Sequence, residues 1–250
     1  MIPTGLKLAE GKTKIIFAHQ TDPTLVIIQH KDSVSAGDGA RRNEIAGKAA
    51  LAGRTTANVF RLLRAAGIAT HFVDAPDSVT MVARRCTMIP VEVVARRIAA
   101  GSYVKRHPET AEGTRFDPLL VEYFLKDDAR HDPRISPEDM VAQGVAKREE
   151  CTAMGRVVQT VFAVLERAWA AQDVTLVDLK IEFGRDVAGK LLVADVIDND
   201  SWRIWPGGDK TRQLDKQVYR DMRQVDEDGL AQVRRRYEIV AEMTEGWQQP

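Results

Sequence analysis

The sequence predicts an α+β protein built as two lobes. Three observations carry that expectation. Short apolar runs with strand-like spacing crowd the N-terminal part around one long helical pattern. The character of the chain changes at Met88-Ile89-Pro90, where Pro90 restricts its neighbour and forms a candidate hinge. The segment Thr175–Trp205 alternates charged and apolar residues at period two, as a half-exposed strand does.

The elements follow in order. Leu6–Ala9, Lys14–Ala18 and Leu25–Gln29 are short strands. A helix is expected over Asn43–Ala66, where Ile45, Ala49, Ala52, Thr56, Val59, Phe60 and Leu63 share one face and Gly67 ends the pattern. Thr70–Val73 and Val79–Ala83 complete a small sheet with one helix. Val91–Ile98 is a strand ending at a Gly101-Ser102 turn, and the polar stretches 106–118 and 127–137 are loops. Ser136-Pro137 starts a helix, with Ser136 as cap and Pro137 at the first position. A long helix spans Lys147–Ala171 and turns Cys151, Met154, Val158, Phe162, Leu165 and Trp169 inward. A last helix over Gly229–Thr244 buries Leu230, Val233, Tyr237 and Val240. The expected division is 1–88 and 89–250, with a cleft between the lobes.

Composition limits the function classes. The chain has 250 residues, 44% of them hydrophobic, enough for a sizeable core in one large domain or two lobes. Lys+Arg and Asp+Glu both count 36, so the formal net charge is zero and no global attraction draws in nucleic acid or an acidic membrane. Two cysteines, Cys86 and Cys151, build no disulfide or zinc framework and suit a reducing compartment. No apolar run is long enough to span a bilayer, and a basic-then-apolar leader is missing. A cytoplasmic protein without membrane or nucleic-acid partners is expected.

Several segments carry candidate chemistry. In Thr175–Trp205, Asp178, Lys180 and Glu182 share one strand face and Leu179, Ile181 and Phe183 the other. Folded as a hairpin about Val187–Lys190, this segment sets Glu182 opposite Asp195. Two carboxylates beside a lysine suit a Mg²⁺-nucleotide, because hard cations take oxygen ligands and phosphate takes an ammonium. Asp198, Asp200 and Arg203 crowd just after the second apolar run. A solvated charged strand face is the plainer alternative.

Glu10-Gly11-Lys12-Thr13-Lys14 narrowly misses a P-loop, since position 6 is Leu and a strand pattern follows in place of a helix. It suits either a glycine-rich phosphate-covering loop or an ordinary hairpin turn. Ser33–Gly39 is small and polar ahead of a helix, either an anion-binding segment or a plain loop. Arg96, Arg97, Lys105 and Arg106 surround the Gly101-Ser102 turn, and guanidinium forks match phosphate and carboxylate geometry. Arg203, Lys210, Arg212, Lys216 and Arg220 form a second basic cluster. Neither a Ser-His-Asp arrangement nor His/Cys metal spacing stands out.

Taken together, EGKTK, SAGDGARRNEIAGKAA, MIPVEVVARRIAAGSYVKR, FLKDDARHDP, LVDLKIEFG and ADVIDNDSWRIWPGGDK resemble, in order and spacing, the phosphoribosylaminoimidazole-succinocarboxamide synthase (SAICAR synthetase) family along nearly the whole chain. WRIWPGGDK and RRNEIAGKAA look closer to the synthetase half of the animal bifunctional enzyme, and with 250 residues a monofunctional enzyme without the carboxylase domain is expected. The resemblance implies a two-lobed SAICAR-synthetase-like fold, with a small N-terminal antiparallel sheet lobe over the nucleotide and a larger ATP-grasp/kinase-like lobe holding the metal and ribotide sites. It implies an ATP- and Mg²⁺-dependent ligase of de novo purine biosynthesis, joining carboxyaminoimidazole ribonucleotide (CAIR) to L-aspartate through an acyl phosphate, and a homo-oligomer.

Carried over by motif, Gly11, Lys12 and Lys14 would cover the ATP phosphates, Met88 would border adenine, and Lys126 would approach the nucleotide. Glu182 and Asp195 would hold Mg²⁺, with Lys180 near the transferred phosphoryl group. Asp38, Arg96, Ser102, Arg203 and Arg220 would bind the ribotide's phosphate and carboxylate, with Ser35 and Lys216 as secondary contacts. Lys180, Asp38 and Arg203 would be the catalytic set. The rival expectations are another two-lobed ATP-dependent small-molecule kinase and an RNA-binding module using the basic strand-turn.

Overall fold

The computed structural model describes residues 4–37, 40–222 and 224–248. The chain divides into two compact units. The first comprises residues 1–88, 184–200 and 214–250, and the second comprises 89–183 and 201–213.

In the first unit, strands β1 (Thr4–Glu10), β2 (Lys14–His19) and β3 (Leu25–His30) form an antiparallel meander. With β6 (Phe72–Asp74) and β7 (Thr80–Arg84) they make a sheet in the order β1-β2-β3-β7-β6. β4 (Ser33–Ala36) and β5 (Arg41–Glu44) pair separately, Ser33 opposite Glu44. Helix α1 (Lys48–Ala65) follows.

The helix expected from Asn43 therefore begins at Lys48, because Arg41–Glu44 is committed to the β4 ladder. Gly47 turns the chain with φ 82°, and Asp32 accepts from the amides of Gly47 (3.2 Å) and Ala49 (2.8 Å), satisfying two orphan donors of the first turn.

The remaining helices of this unit are α5 (Gln217–Asp221) and α6 (Glu227–Glu245), the latter capped by Asp226. Val233, Tyr237 and Ala241 of α6 share one apolar cluster with Val34, Ile45, Leu51 and Ala52. This packing is why a division at 1–88 and 89–250 does not describe the units. Only the boundary at Met88 coincides, because the C-terminal helices bury their apolar stripe against α1.

The second unit is organised by β8 (Thr87–Ile98), β9 (Arg115–Leu125), β10 (Val174–Arg185) and β12 (Trp202–Pro206). β8 and β9 are antiparallel, Val94 opposite Glu122, and β10 and β12 are antiparallel, Asp178 opposite Arg203. β11 (Leu191–Ala194) lies in the first unit, after a turn closed by the Asp186 amide donating to the Lys190 carbonyl. Helices α2 (Ser102–Arg106), α3 (Pro137–Ala142) and α4 (Arg148–Ala170) complete this unit. Ser136 caps α3 through the Asp139 amide, and the six inward residues expected on α4 are all buried.

Two local expectations change here. Pro90, expected at a change of character, lies within continuous β8, and its carbonyl accepts from the Lys126 amide at 2.9 Å. The expected loop 106–118 gives way to β9 from Arg115, because Ile98 pairs with Arg115. Among the described residues no helix is long and apolar enough to cross a membrane.

Candidate functional site

Two arrays of charged side chains are built from the strand alternation, one in each unit. In the second unit, period two puts Glu92 and Arg96 on one face of β8, and Asp178, Lys180 and Glu182 on one face of β10. Arg96, only 3% exposed, donates from Nε to Glu122 and from Nη1 to Asp178, both at 2.7 Å. Asp178 Oδ2 also accepts from Arg203 Nη1, its cross-strand neighbour. Arg106 donates to both oxygens of Glu122 at 2.8 and 3.0 Å. Lys180 Nζ lies 2.7 Å from Glu92 and 3.4 Å from Glu182, whose other oxygen takes Lys126 at 2.7 Å.

This array sets Arg96, Arg106, Arg203, Lys126 and Lys180 against Glu92, Glu122, Asp178 and Glu182. The exposed Arg134 stands 3.8 Å from Glu122. Buried ionised groups persist only when paired and hydrogen-bonded. The charged face of β10 is therefore a paired interior surface and not a solvated edge: Asp178 and Glu182 are buried.

The turn before α2 belongs to the same array. Gly101 has φ 59°, and a Cβ there would collide with the Arg203 guanidinium. Glycine thus serves both the backbone and the close approach of the arginine. Ser102 is the exposed first residue of α2, so the expected strand-turn is a turn followed by a short helix.

The first unit holds the other array. Lys14 donates to the Asp195 carboxylate, and the Asp195 carbonyl receives His71 Nε2 at 2.8 Å. A carbonyl only accepts, so this nitrogen carries the proton of a neutral ring. Asp195 itself is left-handed, φ 66°, an uncommon state that surrounding bonds must hold. Burial pushes His71 down to about 4 despite the opposing pull of Asp195. Burial, reinforced by Lys48 and Lys14, pushes His30 down to about 3.

Further along, Asp200 accepts from Lys216 at 2.8 Å and from the Tyr237 hydroxyl. Lys48, 1% exposed, sits 4.9 Å above the Tyr237 ring. Burial and the neighbouring Asp200 charge raise Asp198 to about 6. Burial also works to raise Asp200, but Lys216 and Lys48, with the hydrogen bonds from Lys216 and Tyr237, hold it well below the ordinary carboxylate range.

Other expected residues are placed as follows. The Gly11 amide donates to the Lys14 carbonyl at 2.9 Å, closing the turn, and the Ser33 hydroxyl donates to the Lys12 carbonyl. Met88 is 40% exposed, beside Gly184. Ser35 is buried in the β4–β5 ladder, and Arg220 is exposed with Nη1 3.4 Å from Gln217. Asp38 lies outside the described residues.

Glu182 belongs to the second unit and Asp195 to the first. Both offer hard carboxylate oxygens that ammonium groups now engage, the donor chemistry a Mg²⁺ ion requires. Among the described residues no three His, Cys, Asp or Glu side chains gather as a metal site.

Sequence reasoning missed Lys48, Tyr237, His71, Glu92 and Glu122 as members of these arrays. Signals existed for two of them. Lys48 lies on the apolar stripe of Ile45 and Ala52, and Glu122 interrupts the apolar run Leu119–Leu125.

The α+β fold thus carries two arrays of paired, largely buried charges, one in each unit. The sequence model of the family described as SAICAR synthetase matches residues 7–236. The chain belongs to that family, whose members are ligases of purine biosynthesis.

A phosphoribosylaminoimidazole-succinocarboxamide synthase from Roseiflexus castenholzii is 67% identical over 243 residues, covering 97% of this chain and 98% of that protein. The bifunctional carboxylase/synthetase of Mus musculus is 45% identical, covering 98% of this chain and 59% of that protein. Among solved structures, the Ehrlichia chaffeensis synthase superposes with TM-score 0.87 at 30% identity, covering 98% and 100% of the two chains. A type-2 SAICAR synthetase in complex with ADP superposes with TM-score 0.85 at 31% identity, covering 95% and 97%.

Proposed function

We propose that this enzyme joins the carboxylate of CAIR to the amine of L-aspartate, consuming ATP with Mg²⁺ and releasing ADP and phosphate. One observation carries the reading: the sheet face of the second unit on which four carboxylates hold Lys180, Lys126, Arg96, Arg106 and Arg203 in one place. Nucleotide, ribotide and aspartate are all anions, and bringing them together demands fixed cations. The ADP carried by a solved relative supports the nucleotide part of the reading.

A carboxylate is a poor electrophile for an amine. The CAIR carboxylate oxygen attacks the γ-phosphorus, ADP leaves, and an acyl phosphate results. The aspartate amine then attacks the carbonyl carbon, the C–O bond to phosphate breaks, and the nitrogen loses a proton. Lys180 steadies the transferred phosphoryl charge. Asp38, Arg96, Ser102, Arg203 and Arg220 bind the ribotide's phosphate and carboxylate, with Ser35 and Lys216 as secondary contacts. Gly11, Lys12, Lys14, Met88 and Lys126 contact ATP. Glu182 and Asp195 are the carboxylates that would each offer an oxygen to Mg²⁺, whose charge would offset that of the phosphates. The setting is cytoplasmic and the assembly a homo-oligomer.

The test is ADP release with ATP, CAIR and L-aspartate, omitting each in turn, with and without a Mg²⁺ chelator. Sustained ADP release is expected only with all three and the metal. ADP formed steadily without aspartate would instead identify a small-molecule kinase.

A further inference from the structure

Glu122 contacts no substrate in that scheme, yet it is among the most completely engaged carboxylates of the second unit. It is 1% exposed within β9, opposite Val94. Oε2 accepts from Arg96 Nε at 2.7 Å and from Arg106 Nη2 at 3.0 Å, and Oε1 accepts from Arg106 at 2.8 Å. Arg96 stands on β8, before the Gly101-Ser102 turn, and Arg106 stands on α2, after it. One buried carboxylate thus grips the chain on both sides of that turn.

The grip matters because α2 is a short element next to the turn. The helix is five residues long, buries none of them, and starts without a side-chain cap. Ring contacts add to the grip: Tyr103 lies against Phe116 at 5.1 Å, the Arg96 guanidinium stands 6.0 Å from the Tyr103 centroid, and the Arg106 guanidinium stands 5.1 Å from the Phe124 centroid. Glu122 also fixes Arg96 in rotation. With Nε bound to Glu122 and Nη1 bound to Asp178, the guanidinium plane is set by two carboxylates from different strands.

We propose that Glu122 is a positioning residue for phosphate-monoester recognition: by holding Arg96 and Arg106 it sets the Gly101-Ser102 turn and the adjacent guanidinium in the geometry a phosphate requires. This rests on the reading that Arg96 and Ser102 contact the ribotide phosphate. The carboxylate touches no substrate. Its effect is preorganisation, so its loss falls on binding of one substrate and not on the chemical step.

The experiment compares Glu122→Gln, Glu122→Asp and Arg106→Gln in the intact enzyme, measuring kcat and KM for each substrate and inhibition by inorganic phosphate competing with the ribotide. Glu122→Gln is expected to raise the ribotide KM about tenfold, weaken phosphate inhibition in parallel, and leave kcat and the other two KM values within about twofold. Glu122→Asp, which keeps the charge, restores most of that loss. Arg106→Gln reproduces it in part and decides the matter if Glu122→Gln fails to fold.

A loss spread over all three substrates, or a fall in kcat at unchanged ribotide KM, overturns the proposal in favour of a general structural role. Arg96→Lys and Ser102→Ala separate the two ideas. If they leave the ribotide KM unchanged, the phosphate-site reading itself fails. If they raise it while Glu122→Gln does not, only the role of Glu122 fails.

Discussion

His71 donates from Nε2 to the main-chain carbonyl of Asp195 at 2.8 Å, and so holds a residue whose backbone is left-handed at φ 66°. The Asp195 carboxylate meanwhile receives Lys14. A neutral buried ring therefore supports the backbone of a charged candidate ligand, and the two residues fall or stand together.

Acid should loosen the first unit. The folded pKa values of His71 and His30, about 4 and about 3, lie below the ordinary value of 6.5. A base with a depressed folded pKa contributes stability that is full above 6.5 and lost as pH falls towards the folded value. Each such group changes stability by about 1.4 kcal/mol per pH unit inside its window. Thermal melting is expected to drop steadily from pH 6.5 to 4, and His71→Gln should flatten the slope. An equally steep slope in that variant would show that other groups set it.

Asp198 acts in the opposite sense. Its folded pKa, about 6, lies above the ordinary 3.8, so its contribution is present below about 4 and lost as pH rises through 6. Asp198→Asn keeps an oxygen for the Asp200 amide, bound at 2.8 Å, and removes the buried charge. The variant is expected to gain on the order of 1 kcal/mol at pH 8 and nothing at pH 4. Denaturant unfolding at the two pH values measures this.

Asp195→Asn should remove ATP-dependent turnover, by about a thousandfold or more, without unfolding the protein. Asparagine tolerates the left-handed region, so the backbone state is retained while the charge is lost. Lys180→Ala should do the same from the second unit. Near-normal ADP release in both variants would refute these roles.

Gly101→Ala is expected to raise the ribotide KM by about tenfold or more, because a Cβ displaces the Arg203 guanidinium and strains a backbone at φ 59°. Unchanged ribotide kinetics would show that Arg203 can move aside at no cost.

Arg96→Ala should cost stability as well as binding. Truncating one partner of a buried, hydrogen-bonded charge cluster leaves Glu122 with Arg106 and Asp178 with Arg203, so the cost falls below the roughly 3–5 kcal/mol of a fully broken buried pair. Melting temperature and ribotide KM are both expected to change. A KM effect without destabilisation would place Arg96 outside the structural network.

Much of this was legible in the sequence, for physical reasons. The inward stripe of α4 follows from period, and the α3 start follows from Ser136-Pro137. The strands β1 to β3 follow from apolar runs separated by turns. What escaped depends on distant partners. Nothing local tells Arg41–Glu44 to pair with Ser33–Ala36 and delay the helix. Nothing local makes Glu122 the anchor of two arginines. The motifs pointed to most of the charged residues now found in the arrays, but not to which carboxylate each cation meets. The aspartate segment around 198–200 was noticed, whereas its tuning by Lys48 and Tyr237 comes from helices far apart in the chain.

The discontinuity of the first unit has a consequence for how the molecule is made. Translation proceeds from one end, so Leu51, Ala52 and Val34 leave the ribosome before Val233, Tyr237 and Ala241 have been synthesised. The intervening second unit emerges and can collapse while its predecessor still waits for a cover. The nascent chain thus carries an open apolar face through most of its synthesis, and that face is a natural landing place for a chaperone.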